Sequence, residues 1–134
     1  MKYLCLVYLD EKRLDELPDE DCVEFDTGIR KSGHCIASEA LQSVQTATTV
    51  RVRNAKLSVT DGPFAETKEQ LAGFYMIEAR DLNEAIQIAA KIPPARVGSI
   101  EVRPVRPVRE TVAVAGQQRL DASANAQTRD GIRA

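Results

Sequence analysis

The chain reads as an α+β domain of order βαββαβ, with an extra β-hairpin between the second and third strands of the main sheet. Three patterns predict it. Residues 2–9 and 71–79 are apolar at both odd and even positions, as in strands buried on two faces. Two stretches, about 18–32 and 81–92, carry one-sided apolar stripes at helical spacing. Between them, residues 47–60 alternate apolar and polar with period two, interrupted at Asn54-Ala55.

Taken in order, the first strand is Lys-Tyr-Leu-Cys-Leu-Val-Tyr-Leu, with Tyr3, Cys5, Val7 and Leu9 on one face and Leu4, Leu6 and Tyr8 on the other. The charged stretch Asp10 to Glu16 is expected as a loop. Pro18 suits a first helical position, and Asp19, Glu20 and Asp21 suit the positive end of the helix dipole. Cys22, Phe25 and Ile29 form that helix's apolar stripe, and Gly33 is placed to stop it. A second strand is expected over His34 to Leu41, and a hairpin over Ala47–Arg53 and Lys56–Thr60 with one wet face. Asp61-Gly62-Pro63 breaks the strand, Phe64–Gln70 is a polar connection, and Leu71–Ala79 is the next strand. Asp81-Leu82-Asn83-Glu84 resembles a capping box opening a helix that Pro93-Pro94 ends. Ser99–Val105 is a last strand, confined to a sheet edge by Pro104 and Pro107.

Without the hairpin this order is the ferredoxin-like split, whose two crossover helices lie on one side of an antiparallel sheet. Helices on one side leave the second apolar face of the strands at 2–9 and 71–79 uncovered. A two-fold dimer, sheet face to sheet face, covers it without further sequence, so a homodimer through the open sheet face is expected.

The pattern fills residues 1–108; residues 109–134, rich in Gln, Ala and Ser, read as a flexible or partner-ordered tail. Eighteen Lys and Arg against 20 Asp and Glu leave a net charge of −2, and there is no Trp, so neither nucleic acid nor an anionic membrane is an expected partner. No segment approaches the roughly 20 apolar residues of a membrane span, and the first ten residues do not form a signal peptide. Cys5, Cys22 and Cys35 are odd in number and unpaired in spacing, as in small apolar residues of a reducing compartment. The protein is expected to be cytoplasmic. No metal is expected from one His and scattered thiols, and no cofactor motif is present.

Among residues that carry chemistry, Asp61 stands first. An Asp-Gly-Pro turn can use its carboxylate to accept turn N–H groups, or present it at a cleft mouth as a general base. Glu66 and Lys68 follow in the polar connection, either as solvated loop or as pocket lining, where Lys68 suits a carboxylate or phosphate. His34, the only histidine, reads as a strand-start residue or as a catalyst. Tyr8, Tyr75 and Arg51 are the remaining ligand-binding candidates, with core packing as the plainer role for the two tyrosines.

Thr60-Asp61-Gly62-Pro63-Phe64-Ala65-Glu66-Thr67-Lys68-Glu69, followed by Gly73-Phe74-Tyr75, resembles the signature of the DGPF proteins within the YCII-related superfamily. The likeness runs back through Ala47–Arg53 and forward through Arg80–Ala85 and Gly98–Pro104. It implies a ferredoxin-like fold assembled as a dimeric α/β barrel, a type that hosts isomerases, lyases and cofactor-free oxygenases acting on small organic molecules. It equally implies a non-catalytic regulatory module associated with an alternative sigma factor. YCII relatives often carry a His in the first helix; residues 18–32 contain none.

Overall fold

The computed structural model describes residues 1–108, and the expected tail over 109–134 lies outside the described residues. The described chain is α+β, with β1 (Lys2–Leu9), α1 (Asp19–Lys31), β2 (Cys35–Ala40), β3 (Thr48–Arg53), β4 (Lys56–Asp61), β5 (Gln70–Glu78), α2 (Leu82–Ala89) and β6 (Ser99–Pro104). It divides into a body, Met1–Thr49 with Asp61–Val105, and a second unit that includes Val50–Thr60.

In the body, β2, β5, β1 and β6 form one antiparallel sheet in that order, an arrangement compatible with a ferredoxin-like fold. The register puts Tyr3, Cys5, Val7 and Leu9 on the buried side, where they pack with Ile77, Ala79, Ile29, Ala85, Ala89 and Ile92. Across the other face Leu4 pairs with Met76, Leu6 with Phe74, and Tyr8 with Leu71. Leu71 is exposed and the other five are half-buried. The double-sided apolar character of β1 therefore yields one closed side and one partly open side in the single chain.

Local chemistry explains the element ends. α1 begins with three acids and finishes with Arg30 and Lys31, both favourable to the helix dipole. Pro18 is the residue before the helix rather than its first member, and Gly33 leaves it at φ +80°. The Asp81 side chain accepts from the Glu84 N–H at 2.9 Å and so caps α2. The stretch expected as a loop after β1 is instead a 3-10 helix over Glu11–Glu16, because the Asp10 carboxylate caps it by accepting from the Lys12 N–H. β6 is an edge strand, as its prolines require.

Two close approaches set the sheet. A β-carbon on Gly73 would lie 2.7 Å from the Glu39 carbonyl oxygen, so a side chain there would push β2 off β5. A β-carbon on Gly98 would overlap the Tyr8 carbonyl oxygen and the Leu9 side chain.

The second unit holds a ribbon in which, among the described residues, β3 and β4 pair only with each other. Asn54 and Ala55 both have positive φ, 53° and 62°, the geometry of a two-residue turn that matches strand twist. That turn sets Val52 opposite Leu57 and Val50 opposite Val59 on one face.

Candidate functional site

α1 presents Cys22, Asp26 and Arg30 at intervals of four, so all three lie on one side of the helix. That side looks onto β2 and β5 across a groove of about 640 Å³, floored by Val7, Leu9, Ala72 and Gly73. The absence of a side chain at Gly73 keeps the floor open.

Two polar contacts cross the groove. The Tyr75 hydroxyl donates to Asp26 Oδ1 at 2.5 Å, joining β5 to α1 over 49 residues of sequence. The edge of the Phe25 ring packs against the Tyr75 ring at 90° and 5.2 Å between centroids, which fixes the phenol's direction. Arg30 donates from Nη2 to Ser38 Oγ at 2.7 Å, joining the last turn of α1 to β2. Arg30 is thus turned away from Asp26, and no ion pair between them occurs among the described residues.

Burial first, and then the bond to Asp26 and the charge of that carboxylate, push the Tyr75 phenol well above its ordinary range. Tyr75 is therefore a fixed proton donor to Asp26, whose second oxygen receives no hydrogen bond from the described residues. Burial and the carboxylates of Asp26, Asp19 and Asp21 likewise raise the Cys22 thiol, which keeps it in the weakly nucleophilic protonated form. The arrangement offers one carboxylate as hydrogen-bond acceptor or base, a phenol that orients it, and a guanidinium nearby.

These shifts have a measurable consequence. Folding raises Tyr75 above its ordinary value of 10, and burial pushes the Cys5 thiol up from 9 to about 11. Both groups hold protons more tightly folded than unfolded, so their stabilisation is complete below pH 9 and declines as pH rises, first through Cys5 and then, above pH 10, through Tyr75. Urea midpoints measured from about pH 8 to about pH 11 should fall less steeply at the alkaline end in Tyr75→Phe than in the wild type. Equal slopes would mean that in solution Tyr75 is neither buried nor held against Asp26.

Of the residues singled out from sequence, Tyr75 alone lines this groove. His34 lines a second groove of about 530 Å³ beside α1, together with Lys91 and Arg96. Its Nδ1 lies 2.9 Å from Ser32 Oγ and its Nε2 3.7 Å from Glu84 Oε1. Asp61, Glu66 and Lys68 are exposed and line neither groove. The Asp61 turn is tied down by the Gly62 N–H, which donates to the Ala47 carbonyl at 2.7 Å, and by Thr49 Oγ1, which donates to the Gly62 carbonyl at 2.8 Å. The loop after it is braced internally: Thr67 donates to the Glu69 carbonyl and Gln70 Nε2 to the Thr67 carbonyl. Tyr8 stands half-buried on the open sheet face, and Arg51 is half-buried on β3.

Sequence reasoning passed over Asp26, Arg30 and Ser38, and read Cys22 only as part of an apolar stripe. One signal was present: an acid four residues after Cys22 and next to Phe25 interrupts the helix face expected to be buried. Among the described residues, no group of three or more His, Cys, Asp and Glu side chains is placed to hold a metal ion, and no helix is long and apolar enough to cross a membrane.

The chain is similar to known proteins over most of its length. The profile of the YCII-related domain matches residues 1–109. Uncharacterized protein R00369 of Rhizobium meliloti (strain 1021) is 37% identical over 114 residues, which cover 78% of this chain and 92% of that protein. With one strand-and-helix body, its open sheet face and the Asp26–Tyr75 groove all inside the matched span, the chain belongs to the YCII-related domain family.

Proposed function

We propose that the groove between α1 and the β2–β5 edge binds a small organic molecule and that Asp26 acts there as a general base, in a reaction of isomerase, lyase or cofactor-free oxygenase type. The observation that carries this reading is the Tyr75–Asp26 hydrogen bond across an open groove that Asp26 lines, which leaves the second carboxylate oxygen without a hydrogen bond from the described residues. Tyr75 positions the base, and Arg30 with Ser38 offers donors to a carbonyl or anionic group at the groove's other end. The sequence motif around Asp61 supports placing the chain in the DGPF branch of the family, and three free cysteines suit a cytoplasmic protein.

The functional unit is a homodimer joined through the open sheet face. Supporting it, the register aligns three apolar cross-strand pairs there, Leu4–Met76, Leu6–Phe74 and Tyr8–Leu71, on strands whose opposite side already forms the core. Light scattering on the eluted protein should give a dimer at micromolar concentration.

NMR shift mapping with a fragment library of phenols, hydroxy acids and small amines tests the site. Shifts should cluster at Asp26, Tyr75 and Arg30, and Asp26→Asn should weaken the binders at least tenfold while preserving the spectrum elsewhere. Clustering at Asp61, Glu66 and Lys68, with loss in Asp61→Asn, would move the site to that loop. Clustering at His34 would move it to the second groove. A library without binders at any of these places would favour the regulatory, partner-binding module associated with an alternative sigma factor.

A further inference from the structure

The β3–β4 ribbon has no evident reason to be stable by itself. Every residue of β4 is exposed, and so are Val50 and Val52 of β3. Its aligned apolar side chains, Val50, Val52, Leu57 and Val59, are 43–58% exposed. A two-stranded ribbon is marginal in water, and four β-branched or aliphatic side chains on one exposed face mark a surface that packs against something.

Charge indicates what. Residues 48–60 carry three cations and no acid, whereas residues 1–47 and 61–108 carry 17 acids against 11 cations. On the open sheet face, the register forms a row Glu39–Phe74–Leu6–Glu101, an apolar centre with a carboxylate at each side. Glu101 is held by Arg103 at 3.1 Å, while Glu39 is exposed and has no ion pair among the described residues. The same sheet margin, β2, exposes Ile36 at 46% and is followed by Leu41, exposed at 48%.

We infer that the ribbon is an intersubunit arm: its Val50–Val52–Leu57–Val59 face packs on the β2 margin of a second copy of this chain, while Arg53 and Lys56, on the ribbon's other face, give the arm the positive charge that draws it to that copy's acidic body. The inference rests on the sheet-face homodimer and extends it, since the arm continues that interface at its edge. It assigns a structural role to the residues between β2 and β5, which the groove does not use. Two-fold symmetry engages two arms at once, so a change in the ribbon is counted twice in the dimer.

The test uses the full chain, with dimer dissociation followed by sedimentation and folding by far-UV circular dichroism. Val52→Asp/Leu57→Asp, which replaces only exposed side chains, should weaken the dimer at least a hundredfold with an unchanged spectrum. Arg53→Glu/Lys56→Glu should weaken it at least tenfold at low salt and much less at high salt. Leu6→Glu, on the sheet face, should dissociate it as well. If Leu6→Glu dissociates the dimer while both ribbon variants bind like the wild type, the arm is refuted and the sheet-face dimer stands. If the ribbon variants leave association unchanged but lower the melting temperature, the ribbon packs within its own chain and the inference falls. A monomeric wild type removes both.

Discussion

Gly98→Ala should destabilise the protein by roughly 3 kcal/mol or more, although it adds a single methyl group. Gly98 carries the chain from the turn after α2 into β6, directly over the end of β1. A β-carbon there would overlap the Tyr8 carbonyl oxygen and come within 2.8 Å of the Leu9 side chain. The obstructing atoms are backbone and a fully buried core leucine, so neither can swing aside. Relief requires β6 to separate from β1, at the expense of a ladder that pairs six residues of each strand. Thermal unfolding should show a loss of about 10 °C or more for a body of this size. A melting temperature within a degree or two of the wild type would mean that Gly98 does not approach the end of β1 this closely in solution.

Ile77→Ala should cost about 2–5 kcal/mol, the range for emptying an aliphatic side chain from a closed core. Ile77 has no exposed surface and pairs with Tyr3 on one neighbouring strand and Cys35 on the other. It lies at the centre of the helix-covered side, with Ile29 of α1 and Ala85 and Ala89 of α2 in the same cluster. Collapse around the cavity is resisted from the sheet and from both helices. Urea unfolding should show a lower midpoint with an unchanged slope. Met76→Ala, one residue away but on the open face, should cost the separated protomer much less, and a larger loss at Met76 than at Ile77 at dilutions where the protomers are apart would reverse the assignment of the two faces.

These two predictions rest on features of unequal visibility in the sequence. That Ile77 shares a face with Tyr75, opposite Phe74 and Met76, follows from period-two alternation and is readable without coordinates; that this face is the helix-covered one is not. The requirement at Gly98 is not either, because it depends on which strand β6 pairs with and how closely the chain entering it passes that strand's end. The 3-10 helix over Glu11–Glu16 was obscured in the same way. Its charges read as loop, and only the Asp10 cap favours the turn.

The candidate site divides similarly. Asp61 draws attention because Asp-Gly-Pro is a conspicuous local pattern, and local patterns are what a linear sequence displays. Asp26 sits among five acids between Asp19 and Asp26, where an acid reads as a solvated helix face. What distinguishes it is Tyr75, 49 residues later, whose hydroxyl reaches it only when β5 lies under α1.

By itself, the sequence determined the kind and order of the strands and the two α-helices, the position of the ribbon turn, the Asp81 cap, the Gly33 stop, and which strands have two apolar faces. These follow from short-range chemistry: side-chain period, capping groups and backbone freedom act within a few residues of each other. The tertiary structure alone decided that Asp26 meets Tyr75, that Arg30 turns to Ser38 instead of Asp26, and that Gly73 leaves a groove between them. Those outcomes depend on how a helix and two strands distant in sequence settle against one another to bury their apolar sides, and packing of that kind has no counterpart in the order of residues along the chain.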